Sequence, residues 1–217
     1  MKTIILNGSP KSNINESNTE IFINEFLKDM KVKLPVKYIV REDPVELAKT
    51  LKDFDTVLIF LPLYIHAMPG SVMRFLEKLE EKDMKGKNLG FFIQAGFPET
   101  AQEQFVERYF NELSKILNCN YLGTVSKGDS AGIYMYPHKF KKLYELLNDL
   151  GSKFEETNNF DEDIVVELSY PYNIDDYSAF TIFLLKIVHK IKFSNFGWDV
   201  MLKRNNSFDN RYDKPFL

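Results

Sequence analysis

The chain has 217 residues, enough for one sizeable α/β core and short for two independent domains. Its 44% hydrophobic and 27% charged residues are those of a folded globular protein, which excludes a disordered chain. A formal net charge of −3 leaves no basic excess to release counterions from nucleic acid.

Lys2–Leu6 reads as the first strand. The opening MKTIIL turns polar at Asn7, too early for a secretory signal, so a cytoplasmic protein is expected. Ser17–Asp29 predicts a helix with Phe22, Phe26 and Met30 on one stripe. Val36–Val40 is a second strand, followed by a short helix around Val45–Leu51. The near-continuous apolar run Thr56–Leu61 suits a central strand covered on both faces. Pro69 stands at a helix start, and Val72, Phe75, Leu76 and Leu79 follow at helical spacing.

Leu89–Ile93 is the fourth strand, and Phe105, Tyr109, Leu113 and Ile116 mark the next helix. Cys119, the single cysteine, falls in the connection to a fifth strand, Tyr121–Ser126; a lone thiol suits a reducing compartment. Phe140, Leu143, Tyr144, Leu147 and Phe154 give a further helical stripe. Strand alternating with helix implies a parallel sheet covered on both faces, and the doubly wound order 2-1-3-4-5 fits five such units. The core is therefore expected over residues 1–157, with 158–217 a mainly helical extension packed on the core or on a dimer partner. In that extension Asp161–Ser169 suits a short helix by its acidic start and a strand by Val165 and Val166. Tyr177–Phe193 predicts a helix, and Trp198 and Met201 lie on another. The apolar stretch Phe180–Val188, broken by Lys186, is far below the roughly 20 residues that span a bilayer. Dimer or core packing is favoured for it over a membrane surface.

Three loops carry the chemistry. After the first strand come Asn7-Gly8-Ser9-Pro10-Lys11-Ser12, and the helix opens at Ser17-Asn18-Thr19. A helix N-terminus with free N–H groups and hydroxyl donors is an anion site, and Ser9, Ser17, Asn18 and Thr19 suit phosphate oxygens, with Lys11 adding charge. Ser17 to Glu20 also matches a capping box, which needs no ligand. Neither a Walker A loop nor a dinucleotide fingerprint is present. The third strand runs into Pro62-Leu63-Tyr64-Ile65-His66-Ala67-Met68-Pro69-Gly70. In this strand order that loop lies beside the first, at the switch point where ligands bind, and its apolar wall suits a flat ring. Alternatively Leu63 and Ile65 are core residues and Tyr64 a surface aromatic. The fourth strand opens into Gln94-Ala95-Gly96-Phe97-Pro98-Glu99-Thr100, where small residues permit close approach and Thr100 is placed to cap the next helix. Lys127-Gly128-Asp129-Ser130-Ala131-Gly132 is another small-residue loop on the same edge.

The stretches Ile4 to Lys11, Ser17-Asn18-Thr19, Pro62-Leu63-Tyr64 and Pro69-Gly70 resemble the flavodoxin-like NADPH-dependent FMN reductases and their quinone and azo reductase relatives. The turn Gly96-Phe97-Pro98-Glu99 resembles a sub-group of small oxidoreductases from anaerobic bacteria. The resemblance covers about the first 135 residues. It implies non-covalent FMN, NADPH or NADH as electron donor, a homodimer, and hydride transfer through the flavin to a small acceptor. Carried over, Ser9, Lys11, Ser17, Asn18 and Thr19 hold the phosphate; Pro62, Leu63, Tyr64 and Ile65 line the isoalloxazine, joined by Ala95, Gly96 and Phe97. Lys11 stands where the family often has Arg, and His66 where an acidic residue is common. Catalysis then rests on the flavin rather than on acid–base residues or a metal, since no triad or metal constellation is evident. The rival readings are a flavodoxin-type electron carrier, disfavoured by the mild net charge, and a binding protein that keeps the fold without catalysis.

Overall fold

Five apolar runs lie side by side, all parallel, in the order β2-β1-β3-β4-β5. They are β1 (Thr3–Asn7), β2 (Val36–Tyr38), β3 (Thr56–Pro62), β4 (Asn88–Gln94) and β5 (Asn120–Lys127). This is a computed structural model, and it describes residues 1–11, 13, 16–134, 136–190 and 196–213. The strand order is the expected one. Every residue of β3 is buried, as its unbroken apolar run requires of a strand between two helical layers. β2 is shorter than its sequence pattern: after Tyr38 a 3-10 turn over Ile39–Arg41 sends Ile39 into the core.

The helices are α1 (Asn18–Leu27), α2 (Pro44–Thr50), α3 (Gly70–Leu76), α4 (Glu81–Met84), α5 (Gln104–Ile116), α6 (Lys141–Thr157) and α7 (Glu162–Leu168). Asp43 starts α2 by accepting the N–H groups of Val45 and Glu46, with Pro44 in the first turn where its missing donor costs nothing. Asp161 starts α7 in the same way, accepting from Ile164 at 3.2 Å. The cap and the acidic first turn decide this segment as helix over strand, and Leu168 is buried by it.

Alternate strand residues feed two separate cores. Ile4, Leu6, Ile59, Leu61, Phe91 and Ile93 pack with Leu47, Val72, Phe75, Val106 and Phe110 from α2, α3 and α5. Ile5, Leu58, Phe60, Phe92 and Val125 pack with Phe22, Phe26, Leu147, Leu150 and Phe154 from α1 and α6. The helix marked by Phe105, Tyr109, Leu113 and Ile116 is observed as α5; it faces the sheet with Val106 and Phe110, while Phe105, Tyr109 and Ile116 are 62%, 44% and 72% exposed. Phe110 stacks on Phe91 with ring centroids 3.7 Å apart, which fixes the rotation of the helix.

The chain forms two units, Met1–Ile174 and Asp175–Leu217. In the first, residues after α7 lace onto the entry to α5: the N–H groups of Thr100 and Ala101 donate to the carbonyls of Pro171 and Tyr172 at 3.1 and 2.9 Å. The Tyr170–Pro171 bond is cis. Thr100 does not cap α5; its hydroxyl donates to the Ser169 carbonyl at 2.6 Å. The second unit holds α8 (Ala179–Lys190) and α9 (Phe196–Arg204), with Ser178 accepting the N–H of Thr181 at 3.1 Å. The predicted helix over 177–193 is observed as α8, and its last three residues lie outside the described ones. Among the described residues no helix is long and apolar enough to cross a membrane.

Candidate functional site

At the carboxyl edge of the sheet the loops after β1, β3, β4 and β5 come together, and each is held by a different device. Gly8 follows β1 and donates its N–H to the Phe60 carbonyl at 2.7 Å. A Cβ there would lie 2.8 Å from Val72 and 3.0 Å from Leu61, so glycine is needed for close approach to β3 and α3 rather than for a turn. Asn7 is buried; its Oδ1 accepts the Ser9 N–H at 2.9 Å and its Nδ2 donates to Glu20 at 2.8 Å. Tyr38 donates to the other oxygen of that carboxylate at 3.0 Å.

The capping box forms in one direction only. Ser17 Oγ accepts the Glu20 N–H at 3.4 Å, but the Glu20 side chain turns to Asn7 and Tyr38 instead of returning to Ser17. Ser9 Oγ likewise accepts the Lys11 N–H at 3.3 Å. Each hydroxyl thus accepts a backbone donor, and among the described residues neither gives its own proton. Ser9, Ser17 and Thr19 are all buried. Asn18 donates through Nδ2 to the Ser130 carbonyl at 2.7 Å, and its buried Oδ1 has no partner among the described residues. Lys11 folds along its own loop: Nζ donates to the Glu16 carbonyl at 2.6 Å and lies 4.9 Å over the Tyr134 ring. Ser12 lies outside the described residues.

After β3 the chain makes a tight reversal. Tyr64 and Ala67 exchange N–H donations at 2.8 and 3.1 Å, and the two residues between, Ile65 and His66, have φ of 47° and 63°. Two positive φ values in succession are the signature of a type I′ turn, which usually takes Asn or Gly. A β-branched Ile in that conformation is strained by about 1–2 kcal/mol. Its side chain is 84% exposed, so no burial within the chain offsets the strain. His66 Nδ1 lies 3.4 Å from the Gln102 carbonyl, tying the turn to the segment that enters α5.

The loops after β4 and β5 are bonded to each other. Ala95 donates to the Lys127 carbonyl at 2.9 Å, and its own carbonyl accepts Ser130 N–H and Oγ at 2.9 and 2.5 Å. Ser130 Oγ also contacts Gln94 Oε1. Asp129 donates to the Phe97 carbonyl at 2.7 Å, and a Cβ on Gly128 would sit 2.1 Å from the Pro98 carbonyl. With the Asn18–Ser130 bond, three loops are locked into one rigid edge.

Beneath it lies a buried acid. Glu103 is fully buried, and among the described residues no hydrogen bond of good geometry reaches either carboxylate oxygen. Burial pushes its pKa up to about 8, against the opposing pull of Ser126 and of the Lys127 ammonium. Lys127 is itself lowered by burial, and Asp129 raised by it.

The twelve residues singled out in the sequence lie on these loops or on the strand and helix ends that border them, in two kinds of place. Ser9, Lys11, Ser17, Asn18 and Thr19 cluster at the opening of α1. Pro62, Leu63 and Ala95 are buried, Leu63 within the core, while Tyr64, Ile65, Gly96 and Phe97 are exposed. Leu63 thus packs with the core and Tyr64 lies at the surface, while Ile65 is not a core residue. Three polar residues were missed. Ser71 in the first turn of α3 has a buried Oγ with no partner among the described residues, one residue before Val72, the neighbour of Gly8. Gln94 and Ser130 form the lock between loops. An isolated serine after Pro-Gly and a strand-end glutamine carry no local pattern that would have marked them. Among the described residues no three His, Cys, Asp or Glu side chains are placed to hold a metal.

No protein-family model matches the chain, and no curated protein matches it by sequence. Solved structures do match it. An NADPH-quinone reductase from P. pentosaceus superposes with a TM-score of 0.55 at 17% identity, over 70% of this chain and 98% of its own. An NADH:FMN oxidoreductase in its apo form gives 0.56 at 15% identity, over 82% and 100%. General stress protein 14 of Treponema denticola, in complex with FMN, gives 0.53 at 16% identity, over 70% and 100%. At such identities the likeness is one of architecture. This chain has the flavodoxin-like fold, a doubly wound five-stranded parallel sheet in the order 2-1-3-4-5.

Proposed function

We propose that this protein is an FMN-dependent oxidoreductase that passes a hydride from NADPH or NADH through bound FMN to a small acceptor, such as a quinone, an azo or nitro compound, or a free flavin. The observation that carries this reading is the donor set at the opening of α1. Among the described residues Ser9 and Ser17 each accept a backbone N–H and donate their own hydroxyl proton to none, as a phosphate dianion requires. The first turn of a ten-residue helix adds its dipole, and Lys11 adds charge at the loop. Glu20, in the first turn of α1, has its carboxylate bonded to Asn7 and Tyr38. The names of the matching structures, two of them reductases and one bound to FMN, support the same assignment.

The residues present fit FMN. Ser9, Ser17, Thr19 and Lys11 would take the phosphate. Asn18 fits a different part of the cofactor than its neighbours do. Its free atom is an acceptor, which suits a ribityl hydroxyl rather than a phosphate oxygen. Pro62, Leu63, Tyr64 and Ile65 would flank the ring from one loop, and Ala95, Gly96 and Phe97 from the other. When bound, FMN supplies the two-electron chemistry between nicotinamide and acceptor. The protein's share is orientation: a locked edge holds both partners of a transfer in register without reorganising. The exposed Tyr64, Ile65 and Phe97 present an apolar surface on which a flat acceptor is shielded from water. We take the protein to act in the cytoplasm as a homodimer.

The test is flavin binding followed by turnover. Titrating the protein into FMN should quench flavin fluorescence with micromolar affinity or better, and the loaded protein should oxidise NADPH or NADH in the presence of a quinone. Ser17→Ala should weaken FMN binding about 10-fold, the loss of roughly one good hydrogen bond to a charged group. Absence of FMN binding at micromolar concentration would end this assignment.

A further inference from the structure

The helices of the second unit carry large apolar side chains that are exposed. On α8, Phe180, Phe183, Leu184 and Ile187 follow at the helical spacing i, i+3, i+4, i+7, and all four are exposed, Phe180 at 69% and Phe183 at 57%. Leu185 is exposed as well and widens the face, while Thr181 and Ile182 are half-buried. At a helical step of roughly 100° per residue, the exposed apolar arc runs about 200° round the helix, from Phe183 to Leu185. On α9, Trp198 is 66% exposed and is the only tryptophan in the sequence. Val200 beside it is exposed too.

The charges among these residues have one sign. By sequence, residues 177–204 hold five cations, Lys186, Lys190, Lys192, Lys203 and Arg204, against a single acid, Asp199. Residues 1–174 are the reverse, with 21 Lys or Arg and 26 Asp or Glu. The remaining acids of the second unit flank its helices: Asp175 and Asp176 precede Ser178, which caps α8, and Asp209 and Asp213 follow Arg204. Lys186 is exposed at one edge of the apolar arc. From there a lysine stem lies along apolar surface while its ammonium stays with polar headgroups. Cations gathered around exposed apolar helices, on a chain that is acidic elsewhere, are complementary to a negatively charged surface.

The width of the arc selects the occupant. A helix seated on protein buries a stripe of about 100°, whereas an arc twice as wide is covered by a fluid apolar medium into which the helix sinks. Twelve residues span about 18 Å, short of the roughly 30 Å of bilayer hydrocarbon, so such a helix lies in the membrane plane. An exposed tryptophan suits the headgroup level, where one end of the ring is apolar and the other wet. Packing on the core or on a dimer partner, the expectation from the sequence, accounts for an apolar stripe but not for its width or for the cations around it. We propose that α8, together with α9, docks this protein on an anionic lipid surface, lying at the boundary of headgroups and acyl chains without crossing it. This goes beyond the oxidoreductase reading and does not depend on the flavin.

Co-sedimentation of the full chain with lipid vesicles tests it. Wild type should bind vesicles of about 30% phosphatidylserine in phosphatidylcholine roughly 10-fold or more tightly than vesicles of phosphatidylcholine alone, and should lose most of that preference in about 0.5 M salt. Trp198 emission should move to shorter wavelength on binding. Phe183→Glu, within the apolar face, and Lys186→Glu, which reverses the charge at its edge, should each weaken binding roughly 10-fold or more. Phe183→Leu keeps the face apolar and should stay within about 3-fold of wild type. Far-UV circular dichroism on each variant confirms that the fold is kept. A wild-type chain that stays in the supernatant with phosphatidylserine vesicles, or that binds both lipid compositions equally, would overturn the proposal. So would a lipid-free oligomer, measured by sedimentation velocity, that Phe183→Glu dissociates, since a second copy would then cover α8.

Discussion

Glu103 shows how one buried group sets a pH response for the whole chain. Its folded pKa of about 8 stands above the ordinary carboxylate value of 4.5. The folded state therefore holds a proton that the unfolded state has released between those two values. Stability is greatest at the acid side of the window, falls as pH rises from about 4.5 to about 8, and then levels. Each pKa unit is worth about 1.4 kcal/mol, so the total is on the order of 4–5 kcal/mol. Glu103→Gln keeps the shape and removes the ionisation. Urea unfolding should find it close to wild type at pH 5 and several kcal/mol more stable at pH 8.5. Equal stability differences at both pH values would show that the acid is ionised in the fold. Ile65 offers a second test at this scale. Ile65→Asn replaces a β-branched residue by one that tolerates positive φ, and should raise stability by about 1 kcal/mol in the same assay. If the exposed side chain covers a flavin ring, that variant should also bind FMN more weakly.

At the scale of elements, α5 separates what a periodic pattern decides from what it leaves open. The segment has two overlapping apolar stripes, Phe105-Tyr109-Leu113-Ile116 and Val106-Phe110-Leu113-Leu117, each at helical spacing. Both predict a helix, and neither says which one meets the sheet. The stacking of Phe110 on Phe91 makes that choice, and Phe91 lies on β4, outside the reach of the helix's own period. The two stripes should differ sharply on truncation. Phe110→Ala should cost about 3–5 kcal/mol in unfolding free energy, as for a large buried ring, while Phe105→Ala should stay within about 0.5 kcal/mol in the monomer. The capping box at Ser17 is a similar case. The sequence marks the helix start correctly, but the Glu20 carboxylate goes to Asn7 and Tyr38, residues on other elements.

For the molecule as a whole, the unit Met1–Ile174 contains the sheet, both cores and every loop of the candidate site. A chain ending at Ile174 should therefore fold, unfold cooperatively in denaturant, and bind FMN as the full chain does. Flavin should stabilise either form by mass action, about 2.7 kcal/mol at a free concentration 100 times the dissociation constant. A thermal melt with and without FMN measures this directly. A truncated chain that cannot fold would place part of the folding information after residue 174.

The strand runs, the alternation with helices and the small-residue loops are local features, and they alone determined the parallel sheet, its order and the clustering of Ser9, Ser17, Asn18 and Thr19 at one helix start. Periodicity and turn chemistry act over a few residues, so a single chain displays them without folding. The rotation of α5, the place of Leu63 in the core, the lock from Gln94 and Ser130, and the desolvation of Glu103 were decided only by tertiary structure. Each depends on which distant atoms arrive at a given point, and burial is a property of those neighbours rather than of the residue itself.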